Sequence, residues 1–306
     1  EGVAVIDPHG DLTENSVDLV PQNRINDVVY FNPADQDFPV AFNILAQEEE
    51  SHRYLIASSL VGIFKKIWAD SWGPRLEYLL RNSLLTLLAT NDNTILGVTR
   101  IFVDKTYRNK LVRQLDDPVV KTFWENEYAK YNQNFQVEAI SPIQNKIGQF
   151  TTIPLIRNMI GQIKSKINFR DIIDNKKILL VNLAKGLIGE DVSALLGATI
   201  ISKLQVAAMM RANQSEEERE DFYLYIDEFQ NFSTESFATI LSEARKYRLN
   251  LIIAHQYIGQ LVTDTSTKVR DAVFGNVGTQ VIFRVGAPDA EFLEKEYAPE
   301  FEIEDM

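Results

Sequence analysis

A run of five apolar and aromatic residues that stops on two acids, Phe222-Tyr223-Leu224-Tyr225-Ile226 followed by Asp227-Glu228, constrains this chain more than any other feature. An uninterrupted apolar run of that length suits a strand covered on both faces, as in a parallel sheet. Such a strand delivers the residues after it to the carboxyl edge of the sheet, where open α/β folds bind their ligands. Ser233 is then placed to cap a helix with Glu235 in its first turn and Phe237, Ile240, Leu241 and Ala244 on one apolar face. Leu249 to Ala254 reads as a second buried strand, ending in His255 and Gln256.

Strand, acid pair, helix, strand and polar end make half of a nucleotide-hydrolysing sheet. In sites of that kind the Asp holds Mg²⁺, directly or through water, because a hard cation takes oxygen ligands around phosphates. The neighbouring Glu orients and deprotonates the attacking water. Asp227 and Glu228 stand in those places here. A neutral amide can accept from that water and donate to a phosphate oxygen, which points to Gln256 as sensor of the terminal phosphate. His255 faces the other way in an extended chain and reads as a packing or interface residue. A strand that merely ends in a solvated acidic turn would leave the same trace, so the remainder of the chain has to decide.

Gly2 to Asp7 is another buried-strand pattern, closed by the turn formers Asp7-Pro8-His9-Gly10-Asp11, with Asp11 in position to cap the next element. Val28 to Phe31 reads as a short strand. Lys177 to Leu183 reads as a strand that feeds a long helix, Asp191 to Arg211, burying Val192, Leu195, Leu196, Thr199, Ile200 and Leu204. This alternation predicts an α/β, doubly wound, mainly parallel sheet with right-handed crossovers. Between the second and third of these strands the texture changes. Apolar spacings of three and four recur over residues 54–67, 76–88, 95–102, 107–115, 119–131 and 139–150, without β-branched runs of strand length. The expected organisation is therefore residues 1–45 and 176–306 as two parts of one sheet domain, with an all-α domain inserted over 46–175.

The net charge of −12 argues against a surface that binds nucleic acid everywhere. Within residues 95–180, however, 14 Lys and Arg stand against 8 Asp and Glu. Arg100, Lys105, Arg108, Lys110 and Arg113 cluster in sequence, as do Lys164, Lys166 and Arg170. They could contact DNA phosphates, dock an acidic partner, or simply solvate helix faces. The absence of cysteine excludes thiolate metal sites and cysteine nucleophiles. No apolar run approaches the roughly 20 residues of a membrane-spanning helix, so this segment is expected to make no membrane contact of its own. No G-x-x-x-x-G-K-[ST] sequence occurs, and Lys185-Gly186 has the wrong order for one.

The stretch from IDEF through Ala244-Arg245-Lys246, Gln256 and Gln260-Leu261 resembles the Walker B region and succeeding motifs of the TraG/TraD-type coupling proteins, hexameric ATPases of conjugation and type IV secretion. More loosely, it resembles the HerA/FtsK DNA pumps. The resemblance continues through Gly275-Asn276-Val277-Gly278-Thr279, an expected strand to Arg284, and Pro288-Asp289-Ala290 opening another helix. It implies a RecA-like P-loop NTPase domain that takes ATP and Mg²⁺, with a closing strand continuing from residues 300–306. The phosphate-binding loop would lie upstream of residue 1, and this segment alone is expected to be inactive as an ATPase. Asp7 would lie on the strand that comes after the P-loop helix, as a nucleotide contact or as a turn residue. Arg245 would act as a finger across the subunit boundary, with Arg284 in reserve; alternatively, the cations at the helix end answer its dipole. The implied partners are a homo-hexamer, DNA in the ring pore, and relaxosome or secretion-channel proteins. The implied location is cytoplasmic, with the parent anchored at the inner face of the cell membrane. The alternatives are a HerA/FtsK-like translocase of repair or segregation, and a non-catalytic ring or adaptor protein.

Overall fold

The computed structural model describes residues 1–46, 50–263 and 266–299. Five strands, β1 (Gly2–Asp7), β2 (Val28–Phe31), β3 (Ile178–Asn182), β4 (Phe222–Ile226) and β5 (Leu249–Ile253), form one sheet in the order β2-β3-β1-β4-β5. Every pairing is parallel. Asp7 lies opposite Asn182, and Ile6 opposite Ile226, so the strands end together and place Asp7, Asn182, Asp227 and the residues after Ile253 along one edge.

Helix α1 (Asp11–Asp18) comes after β1. Helices α2 (Arg53–Ile67), α3 (Pro74–Leu88), α4 (Gly97–Val103), α5 (Lys105–Val112), α6 (Pro118–Thr122), α7 (Gln133–Thr151), α8 (Pro154–Ile160) and α9 (Phe169–Asp174) all lie between β2 and β3. Proline opens α3, α6 and α8, where its missing N–H costs nothing. Asp104, Asp117, Asn132 and Asn168 cap α5, α6, α7 and α9 with their side chains. The short α10 (Lys185–Ile188) and the long α11 (Glu190–Met209) connect β3 to β4. Helices α12 (Phe237–Glu243), α13 (Lys268–Asn276) and α14 (Ala287–Tyr297) complete the described elements.

Helix α11 packs against both α2 and α9 of the helices between β2 and β3. All six of its expected core residues are buried. The segment Glu190–Asn213 is long and apolar enough to cross a membrane, but 72% of its apolar window is buried within the protein, which makes it a core helix. At its end Arg211, only 1% exposed, donates from Nε to Asp174 (3.0 Å), from Nη1 to the carbonyls of Glu220 (2.7 Å) and Tyr247 (3.3 Å), and from Nη2 to that of Ile173 (3.0 Å). One guanidinium thus ties α9 to the entries of β4 and β5.

Three expectations fail in the fold. The sequence reads β4 as covered on both faces, yet only Phe222, Leu224 and Ile226 are buried, while Tyr225 is 41% exposed and its register partner on β5, Ile252, is 39% exposed. A tyrosine tolerates that position because its ring packs while its hydroxyl stays wet. The strand expected to reach Arg284 does not form. Residues 277–286 are irregular, with Val281, Ile282 and Phe283 exposed: strand composition by itself does not fix a pairing. Ser233 caps no helix: α12 starts at Phe237, and Ser233 is buried in the turn after β4. Residues 300–306, from which the closing strand is expected to continue, fall outside the described residues.

Candidate functional site

Asp227 comes directly after β4 and is held by its own N–H donating to the Ile6 carbonyl (3.1 Å). Burial raises its carboxyl above the ordinary range, and the charges of Asp7 and Glu228 add to the effect, opposed by a backbone bond and by His9. An uncompensated cluster of negative charge at a sheet's carboxyl edge is what a divalent cation would relieve. Among the described residues no three His, Asp or Glu side chains form a ready-made cage. That suits Mg²⁺, which is usually held by one or two carboxylates, water and substrate phosphates.

Glu228 takes the left-handed conformation (φ 47°, ψ 50°), a costly choice for a side chain with a Cβ. That turn is held from both sides. The Phe229 N–H donates to the Ala254 carbonyl at 2.8 Å, and Phe229 and Phe232 are buried. Phe232 lies so close to α11 that a Cβ on Gly197 would come within 2.3 Å of its ring. The glycine is what allows the approach.

The strained turn presents the Glu228 carboxylate to two amides. Gln256 Nε2 donates to Oε1 at 2.5 Å, and Gln230 Nε2 donates to Oε2 at 2.6 Å. Gln256 is positioned in turn by Gln260, whose Oε1 accepts from the N–H groups of Gln256 (3.0 Å) and Tyr257 (3.2 Å). Each carboxylate oxygen has a second lone pair, so a water could still be engaged. The structure therefore brings Asp227, Glu228 and Gln256 together. Sequence reasoning passed over Gln230, whose only trace was its place two residues after Glu228.

Asp7 belongs to the same edge but faces inward. It is fully buried; Oδ1 accepts from the His9 N–H (2.8 Å), and Oδ2 from the Thr13 N–H (2.9 Å) and hydroxyl (3.3 Å). These bonds tie Asp7 to the first turn of α1, whose N-cap is Gly10; Asp11, the expected cap, is instead the first helical residue. The turn also requires Gly10, with φ 98° and a Cβ position only 2.7 Å from Asn182 Oδ1.

Arg245 and Lys246 lie in the exposed turn before β5, at the end of the sheet opposite Glu228. The intervening strand is five residues long, or roughly 16 Å at about 3.3 Å per residue, so Arg245 is out of reach of its own chain's acid pair. Arg284 is exposed in the irregular segment. Of the cations read as DNA or partner contacts, Arg108 is a packing residue: it donates to the Ile101 (2.9 Å) and Phe102 (3.0 Å) carbonyls at the end of α4 and stacks over Tyr128. Arg100 pairs with Asp104 and Arg170 with Asp174, each at 3.1 Å. Lys105, Lys110, Arg113, Lys164 and Lys166 are exposed. A cavity of about 550 Å³ lies elsewhere, between residues 43–46, α2, the turn after α3 and α11. The acid pair sits on an open edge instead, where no enclosed volume is to be expected.

Residues 221–295 match the family described as the TraM recognition site of TraD and TraG. No curated protein sequence matches the chain. Among solved structures, the fold is similar to that of the bacterial conjugative coupling protein TrwBΔN70, unbound, with a TM-score of 0.58 and 16% identity over 89% of this chain and 59% of that one. TrwB in complex with ADP and Mg²⁺ gives a TM-score of 0.57 at 16% identity, over 97% of this chain and 62% of that one. VirB4 of Thermoanaerobacter pseudethanolicus gives 0.61 at 14% identity, over 96% and 72%. The chain thus spans about three-fifths of the length of these coupling-protein structures. By sequence over residues 221–295 and by fold over nearly its whole length, the chain resembles the TraG/TraD-type conjugation coupling proteins.

Proposed function

We propose that this chain is the motor domain of an ATP-driven coupling protein of conjugation or type IV secretion, working as a homo-hexamer that moves DNA or a protein–DNA complex. The observation that carries the reading is the Glu228 carboxylate, held in a strained turn between the Gln230 and Gln256 amides beside a charge-crowded Asp227. Strain of that kind persists only where the surroundings over-determine it, and it clusters at functional sites.

In this reading Asp227 holds Mg²⁺, which when bound neutralises charge on the phosphates of ATP. Glu228 accepts the proton of the attacking water as general base. Gln256 can release Glu228 and turn its amide towards a terminal phosphate oxygen. Arg245, too distant to serve its own chain, supplies charge to a neighbouring subunit's site, with Arg284 as second candidate. A phosphate-binding loop supplied by the parent protein would complete the site beside Asp227 and Glu228. The region 221–295 is the docking surface for a relaxosome partner, as its family's description suggests, and the exposed lysines of the helical region meet DNA or an acidic partner. The domain works in the cytoplasm, with the parent at the inner face of the membrane.

The test is ATP hydrolysis by the full-length protein with and without DNA, beside Glu228→Gln and Arg245→Ala. Each variant should lose turnover, and mixing the two should restore part of it through interfaces that pair an intact acid with an intact arginine. A full-length protein that neither binds nor hydrolyses ATP would leave the adaptor reading in its place.

A further inference from the structure

Lys66, on the last turn of α2, points its ammonium into the turn that carries the acid pair. Its Nζ donates to the Gln230 carbonyl and lies 3.4 Å from Ser233 Oγ. No carboxylate pairs with it among the described residues, and burial alone pushes its ammonium down to about 7. A lysine without a counter-ion is an expensive group to bury. Methionine would fill similar space at less cost, so the position is not explained by packing.

Its effect is explained by what it holds. Gln230 is the residue whose side chain donates to Glu228 Oε2. Lys66 fixes the backbone of that residue, and Ser233 lies at the far end of the same turn. Gln230 Oε1 and Asn231 Nδ2 are buried without partners, so the turn's own side chains leave it under-secured. Helix α2 belongs to the helical region, since it packs against α3 as well as α11. A chain of direct contacts therefore runs from the helical region through Lys66, the Gln230 backbone and the Gln230 amide to Glu228.

We propose that Lys66 is a positioning residue that holds the acid-pair turn in its strained form and couples the helical region to the general base. A displacement of α2, when the helical region engages its cargo, would release or re-aim Glu228 through Gln230. The proposal rests on the reading of Glu228 as the base for ATP hydrolysis, so its test needs a measurement independent of turnover.

The experiment compares full-length wild type with Lys66→Met, Lys66→Arg and Glu228→Gln. Amide hydrogen exchange is measured without nucleotide, and steady-state ATP hydrolysis with and without DNA. Lys66→Met should raise exchange over residues 228–233 at least about tenfold while leaving β1 and β3 unchanged. It should lower kcat by about tenfold or more with KM for ATP within about twofold, and blunt stimulation by DNA. Lys66→Arg, which keeps a donor at that place, should recover most of both. Unchanged exchange over 228–233 in Lys66→Met overturns the proposal. So does a turn that loosens while kcat and DNA stimulation stay at wild-type values. If the turn loosens but wild type hydrolyses no ATP, the hydrolysis reading and the coupling fail together, and Lys66 is left as a structural anchor of the turn.

Discussion

Replacing Arg211 with methionine tests whether the sheet's amino edge is held as described. The guanidinium is 1% exposed and makes four hydrogen bonds, one to a carboxylate and three to carbonyls. Removing one partner of a buried ion pair costs about 3–5 kcal/mol. Two features favour the lower end: Asp174 is 28% exposed, and it keeps Arg170 at 3.1 Å. The buried Ile173 carbonyl, by contrast, is left without its donor. A loss of about 3 kcal/mol, against an unfolding entropy of about 2.1 cal/mol/K per residue, lowers the melting temperature of a unit of 306 residues by about 5 °C. Arg170→Met, which removes a half-exposed i,i+4 pair, should cost under about 1 kcal/mol and move the transition by less than about 2 °C. Scanning calorimetry of both variants decides the matter. If Arg211→Met melts within about 1 °C of wild type, or no lower than Arg170→Met, the knot is decoration and the reasoning is wrong.

Glu228→Gln should lower ATP turnover by about 10²-fold or more, and Gln230→Ala by less, since it orients the base without replacing it; steady-state kinetics of the full-length protein would separate the two. Gly197→Ala places a Cβ 2.3 Å from the Phe232 ring and should destabilise by about 1–3 kcal/mol, read from the calorimetric midpoint. A raised Asp227 carboxyl costs folding stability once pH passes above it, so Asp227→Asn should melt higher than wild type at neutral pH without nucleotide while losing turnover. For Lys66 the sign is opposite. Depressed to about 7 from 10.5, it costs stability below the lower value, and the cost fades as pH rises towards the higher. Its nearest partners, a carbonyl and a hydroxyl, do not titrate, so wild type should gain melting temperature relative to Lys66→Met between pH 7 and about 9.

The strands and the acid pair were legible because apolar runs bounded by turn residues carry their own period, and a parallel strand must deliver its next residues to one edge. Core residues of α11 were legible for the same reason. What the sequence hid was anything set by a partner distant in the chain. Lys66 looks like one more cation at a helix end until α2 is folded onto the turn after β4. Gln230 and Gln260 look like loop amides until Glu228 and Gln256 are side by side. Arg108 sat in a basic cluster, and only the turn from α4 to α5 shows that it serves two carbonyls. The run before Arg284 has strand composition, but composition does not say whether a run will pair with any strand.

The unpaired edge of β5 also has a practical meaning. Among the described residues β5 is paired on one side only, and with Tyr225 and Ile252 half-bare beside it that edge is a template on which a second copy can add as a strand. Particles formed that way would grow with concentration and have no fixed number. A molecular weight measured on these residues alone would count sticky edges and not a defined assembly.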